Sequence, residues 1–135
     1  MADEAPINRR RYPRAGPVII RCEFSHRASA AEGYLVSLSE AGAFLSTDER
    51  IAVGERLVLR VSLPWQMGEI HAEAEVIYEI AAPDSGHQSS PGVGITFVNL
   101  GLEEQERIRR YVVKFHELAT RLGKQASSSE EDLFE

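Results

Sequence analysis

Between residues 18 and 97 apolar and polar positions alternate in short runs, and from Leu102 the period lengthens to about 3.6 residues, so the chain reads as strands followed by one helix. Val18, Ile20, Cys22 and Phe24 alternate with Arg21 and Glu23 in a first strand, and the small, polar residues 26–33 read as a turn. Residues 34–38 form a second strand and residues 43–46 a third, with Gly42 supplying the freedom that a tight reversal or bulge needs. A charged connection over residues 47–55 leads to Leu57, Leu59, Val61 and Leu63, a fourth strand with one dry face. After a turn at 64–68, Ile70, Ala72, Ala74, Val76 and Tyr78 alternate with His71, Glu73, Glu75, Ile77 and Glu79, which predicts a long fifth strand exposed at a sheet edge. Residues 81–92, rich in Pro, Gly and Ser, read as a loop, and residues 93–97 as a sixth strand returning beside Tyr78 in a hairpin. Six short strands with turns between them predict a small antiparallel barrel, since closure removes exposed edges.

The helical segment carries Ile108, Val112, Phe115, Ala119 and Leu122 on one stripe, widened by Tyr111 and Leu118. Glu103, Glu104 and Glu106 occupy its first turns, where the helix dipole favours acids, and Gly123 is the expected stop. Such a stripe is expected to pack on the sheet or cap the barrel, docking of a partner being the other reading. Residues 124–135 are serine-rich and acidic, which predicts a disordered tail, with Leu133 and Phe134 as a small docking element or nothing. Residues 1–8 have no periodic pattern and read as a flexible lead, which leaves residues 9–123 as a single domain. There is no internal repeat.

Composition adds little to this scaffold. The one cysteine, Cys22, excludes an internal disulfide and a multi-cysteine metal site, and its place in an alternating apolar run predicts a buried thiol. No apolar stretch approaches the roughly 20 residues that span a bilayer, and residues 1–8 lack the apolar core of a secretory signal, so a cytoplasmic location without membrane insertion is the expectation.

Charge changes the picture more. Against 15 Lys and Arg stand 21 Asp and Glu, a formal net charge of -6, yet Arg9, Arg10, Arg11 and Arg14 fall within six residues. Pro13 and Pro17 keep this segment extended, so the arginines sit on an arm entering the fold. With a Debye length of about 8 Å at physiological salt, such a cluster holds a compact anion rather than giving the acidic chain affinity for DNA or RNA. The planar guanidinium fork suits phosphates and the Hoogsteen edge of guanine. Ser37, Ser39 and Gly42, at the end of the second strand, offer hydroxyls and open backbone beside it. A solvated arm and a plain strand reversal are the bland alternatives.

This combination resembles the PilZ domain family of cyclic di-GMP receptors. Arg10 and Arg14 fall on the family's RxxxR arm, Ser39 and Gly42 on its (D/N)xSxxG motif, and residues 92–97 are similar to its late glycine-containing strand. The resemblance covers about residues 9–122, and the stretch from Val98 into the helix is similar to the PilZ-like paralogues of gliding bacteria. It implies an all-β fold, a six-stranded antiparallel PilZ-type β-barrel with a C-terminal α-helix. It also implies cyclic di-GMP bound between arm and barrel, with Arg10 and Arg14 on phosphates and guanine edges and Ser39 and Gly42 at the strand end. Arg9, just before the RxxxR stretch, implies an intercalated pair of ligand molecules per chain. Ser37 departs from the family's Asp or Asn, and one hydroxyl cannot accept from both N1 and N2 of guanine as a carboxylate does. Glu40 compensates only if it points inward; a solvated side chain is the other expectation.

An enzyme is not indicated. His26, His71, His87 and His116 are scattered without metal-ligand spacing, and there is no nucleophile elbow or phosphate-cradling loop. Two readings remain. One is a non-catalytic, ligand-responsive adaptor that regulates a partner protein in motility or surface behaviour. The other is a degenerate PilZ-like interaction module that does not bind cyclic di-GMP.

Overall fold

The computed structural model describes residues 12–81 and 91–134, with the backbone alone from residue 123. Arg9, Arg10, Arg11, the lead before them and most of the expected 81–92 loop lie outside the described residues.

Six strands, β1 (Ile20–His26), β2 (Ser29–Leu38), β3 (Gly42–Ser46), β4 (Arg56–Ser62), β5 (Glu69–Ile80) and β6 (Gly92–Val98), precede one helix, α1 (Leu102–Phe134). The strands close a barrel in the order β1-β2-β3-β6-β5-β4, every neighbouring pair antiparallel. The alternation in the sequence becomes the barrel wall: Cys22, Phe24, Leu35, Leu45, Leu57, Leu59, Ile70, Val76 and Ile95 all point into the core and are buried. Each such aliphatic side chain contributes roughly 1.5–3 kcal/mol by leaving water. The Cys22 thiol is among them, and burial pushes its pKa up to about 12, so it stays protonated at neutral pH.

Three expectations are corrected. Residues 26–33 are not one turn: only Arg27 and Ala28 turn, both with positive φ (54° and 64°), and Ser29 already pairs with His26. Tertiary pairing overrides the weak strand signal of Ala30, Ala31 and Glu32, because β1 presents a complete ladder to them. An ion-pair cluster caps this end, where the His26 ring meets Glu55 and holds the Glu55 carboxyl below the usual carboxylate range, with Arg27 adding a further charge.

The second correction concerns β5, which is no edge. It pairs with β4 through Arg56↔Glu75 to Ser62↔Glu69 and with β6 through Glu73↔Val98 to Ile80↔Gly92. An outward row of His and Glu looks the same on an edge strand as on the solvated wall of a closed barrel. The hairpin expected between β5 and β6 does form.

The third is the helix. It runs through Gly123 to Phe134, across the stretch expected to be a disordered tail, because a glycine inside a helix costs about 1 kcal/mol and does not by itself end it. Ile108, Tyr111 and Val112 are buried, Phe115 and Leu118 half-buried, but Ala119 and Leu122 are exposed, so the barrel takes only the first part of the stripe. There α1 packs chiefly on β5. The 64–68 turn reinforces this contact by placing Trp65 over Tyr111, with ring centroids 5.3 Å apart. No helix among the described residues is long and apolar enough to cross a membrane.

Candidate functional site

The arm enters beside the end of β2. Ala15 exchanges two backbone hydrogen bonds with Leu38, 2.8 and 3.0 Å, and the Val18 amide donates to the Val36 carbonyl at 3.0 Å. Proline at 13 and 17 withholds donors at those positions, so pairing is confined to a short bridge. The bridge brings Gly16 against Ser37, where a Cβ on Gly16 would lie 3.2 Å from the Ser37 Cβ. On the other side of the arm, His116 of α1 donates through Nε2 to the Arg14 carbonyl at 2.8 Å. Arg14 is thus fixed through its backbone between the second strand and the helix. Its guanidinium is exposed and has no ion pair or hydrogen bond among the described residues.

Ser39 and Gly42 do different work from Arg14. Ser39 is fully buried, and its hydroxyl accepts from the amides of Ala41 (3.1 Å) and Gly42 (3.3 Å) within the β2–β3 turn. The turn is tied to β6 by the Phe97 amide and the Thr96 hydroxyl, both donating to the Ala41 carbonyl. At Gly42 the strands approach so closely that a Cβ would sit 2.0 Å from the Ile95 carbonyl oxygen. These two residues give the turn its shape. Ser37, by contrast, is only partly buried and lies at a bulge of β2, paired across to Phe44.

Glu40 takes a course that neither sequence expectation covered. Its side chain is 9% exposed and accepts from Arg109 at both oxygens, 3.1 Å each, while Gln105 donates at 3.0 Å. The hydrogen bonds from Arg109 to Glu40, and then the charge of that carboxylate, raise the Arg109 pKa further above its ordinary value. Glu40 therefore latches the motif turn to the helix and is not available to replace the missing Asp or Asn. Gln105 and Arg109, four residues apart on one helix face, were the only trace of this latch in the sequence. Glu40→Ala is expected to leave the barrel folded but to speed amide hydrogen exchange in the first turns of α1; unchanged protection there would show that the latch carries no load.

Among the described residues no group of His, Cys, Asp and Glu is placed to hold a metal ion. His71 is exposed and bonded to Glu69, and His26 and His116 serve the contacts already given.

The chain matches the family model of the PilZ domain over residues 8–114. It belongs to the PilZ domain family. No curated protein matches it significantly. Among solved structures it is similar to the PilZ domain with c-di-GMP of YcgR from Escherichia coli, 23% identical, with a TM-score of 0.65, 87% of this chain and 98% of that chain covered. It is also similar to the Bacillus subtilis inhibitor of motility MotI/DgrA, 19% identical, TM-score 0.66, with 84% and 53% covered. The K. pneumonia MrkH–c-di-GMP complex is 20% identical with a TM-score of 0.66, and 85% and 55% are covered. The chain spans about half the length of MotI/DgrA and MrkH, and at these identities the likeness shows the fold.

Proposed function

We propose that this protein is a non-catalytic cyclic di-GMP receptor whose arm closes on the ligand and so changes the surface offered to a regulated protein. The observation that carries the reading is the Arg14 guanidinium, unpaired among the described residues and held by the Ala15–Leu38 bridge and the His116 contact beside the family motif. Arg10 and Arg9 join Arg14 on phosphates and guanine edges, Ser37 offers one hydroxyl to the base, and Ser39 and Gly42 act by shaping the turn. With Arg9 present, two intercalated ligand molecules per chain are expected. Family membership and the YcgR and MrkH complexes with c-di-GMP support the ligand. MotI/DgrA, an inhibitor of motility, supports a motility protein as the regulated partner. The acidic balance argues against DNA or RNA as a direct ligand, and the proposed setting is cytoplasmic. The proposed organisation stays that of one domain over residues 9–123.

Binding reaches the partner through two fixed links, the His116 bond to the arm and the Glu40 bond to the turn, both made to α1. Ligand that draws the arm inward therefore acts on the helix at two points, an order–disorder step of the kind that reshapes a docking surface.

A second reading, an interaction module that no longer senses the nucleotide, is favoured by Ser37 and by the engagement of Ser39 and Glu40 within the protein. Calorimetric titration with cyclic di-GMP separates the two. The receptor gives saturable binding at low micromolar concentration or below, and Ser37→Asp tightens it about tenfold by supplying the second acceptor. A silent native chain whose Ser37→Asp variant binds would establish the module instead.

A further inference from the structure

The barrel lets go of α1 well before the helix ends. Ile108, Tyr111 and Val112 are buried and Phe115 and Leu118 half-buried, but Ala119 is exposed and Leu122 is 64% exposed. The helix nevertheless continues to Phe134, an overhang of roughly 24 Å at the helical rise. Its local sequence does not account for that length. Gly123 and the serines at 127–129 are poor helix formers, and a free helical segment this short is marginal in water, where most helical stability comes from a packed face.

The apolar stripe outlasts its cover. Phe115, Ala119, Leu122, Ala126, Ser129 and Leu133 follow one another at alternating steps of four and three, the spacing of a seam between two helices. Charge is sorted along the same stretch, with Arg121 and Lys124 towards the barrel and Glu130, Glu131 and Asp132 towards the end. Arg121 is exposed and has no ion pair among the described residues. The two groups cannot satisfy each other within one helix, since the nearest, Lys124 and Glu130, lie beyond the three or four residues over which neighbours on a helix face meet. A second copy can satisfy them. Parallel copies would set each acidic end against its like, whereas antiparallel copies set the acidic end of each against the basic pair of the other. Beside the barrel end of the seam lies a groove of about 670 Å³, between Pro13 of the arm and Val112, His116, Thr120 and Arg121 of α1.

We propose that residues 119–134 of α1 pair antiparallel with the same segment of a second copy of this chain. With the crossing centred near Ala126, Ala119 lies opposite Leu133, Arg121 opposite Glu131, and the Leu133–Phe134 end of each copy reaches the groove beside the other's arm. A two-fold axis closes the pair, so each contact is made twice and no further copy can add. The pairing does not depend on cyclic di-GMP.

The test is sedimentation equilibrium of the full chain without nucleotide, from micromolar to millimolar concentration, with folding followed by circular dichroism. The native chain should approach twice its monomer mass. Leu122→Glu, at a position the barrel does not use, should weaken association about 10- to 100-fold, as expected for a charge placed at the centre of an interface. Arg121→Glu combined with Lys124→Glu should weaken it too, by opposing acid with acid. Adding Glu130→Lys and Glu131→Lys to that same chain should restore the dimer, because antiparallel copies are then complementary again. A native chain that stays monomeric throughout, or a dimer indifferent to Leu122→Glu, overturns the proposal. A double reversal that the second pair of changes fails to rescue overturns it as well, since the antiparallel match of charges is what selects a second copy.

Discussion

Gly42→Ala is expected to destabilise the protein by about 3 kcal/mol or more, at the upper end of what overpacking costs and beyond. The added methyl would meet the Ile95 carbonyl oxygen at 2.0 Å and the backbone of Ile95 and Thr96 at 3.1 Å. No side chain can rotate out of the way, since all three atoms belong to the β6 backbone. Relief would require β3 and β6 to separate, which breaks the ladder from Gly42↔Thr96 to Ser46↔Gly92 and opens the barrel. The denaturant midpoint should fall sharply with little change in the slope of the transition. The same variant bears on Gly42 as a ligand residue. A chain that kept its midpoint yet lost cyclic di-GMP would make Gly42 a contact to the ligand rather than to β6.

The second large effect is expected at Arg14. Arg14→Ala should weaken cyclic di-GMP binding about 100-fold or more by removing a charge-assisted, two-pronged contact, while thermal stability stays close to that of the native chain. The contrast follows from how the residue is held. Its carbonyl is bonded to His116 and its neighbour Ala15 to Leu38, and both contacts are made by backbone atoms that the substitution keeps. The exposed guanidinium holds up nothing else among the described residues. Arg14→Lys should recover only part of the affinity, because an ammonium keeps the charge without the fork. Equal titration curves for native and Arg14→Ala protein would remove the arm from the binding site. A parallel loss of stability would mean that the side chain has a structural role.

Between these two positions lies the distinction that the motif letters conceal. Ser39 and Gly42 are spelled like ligand residues, but the atoms that matter are turned inward, to the Ala41 and Gly42 amides and to the Ile95 carbonyl. Arg14, by contrast, has an exposed guanidinium with no hydrogen bond or ion pair among the described residues. Glu40, an unremarked position inside the same motif, fastens the turn to Arg109 and Gln105. Arm and turn therefore reach α1 separately, and a ligand bridging them acts on the helix through both.

What the chain determined by itself is what is written in local order. Alternation at period two set the six strands, the change of period at Leu102 set the helix, and Gly, Pro and Ser punctuated them, because side-chain direction along a strand or helix is fixed by neighbours in sequence. The arginine arm and the serine–glycine turn were legible for the same reason, each lying within a few residues. Tertiary structure decided what depends on distant partners. That β5 lies between β4 and β6 rather than at an edge, that Ser29 pairs with His26, and that α1 is covered only as far as Leu118 follow from barrel closure and from the limited area the barrel offers. Glu40 meets Arg109 across 69 residues and His116 meets Arg14 across 102, separations that no local pattern encodes. The pairing of Ser37 with Phe44, of Phe44 with Gly94 and of Gly94 with Tyr78 is of the same kind: the four residues sit on four strands, and only register places them side by side.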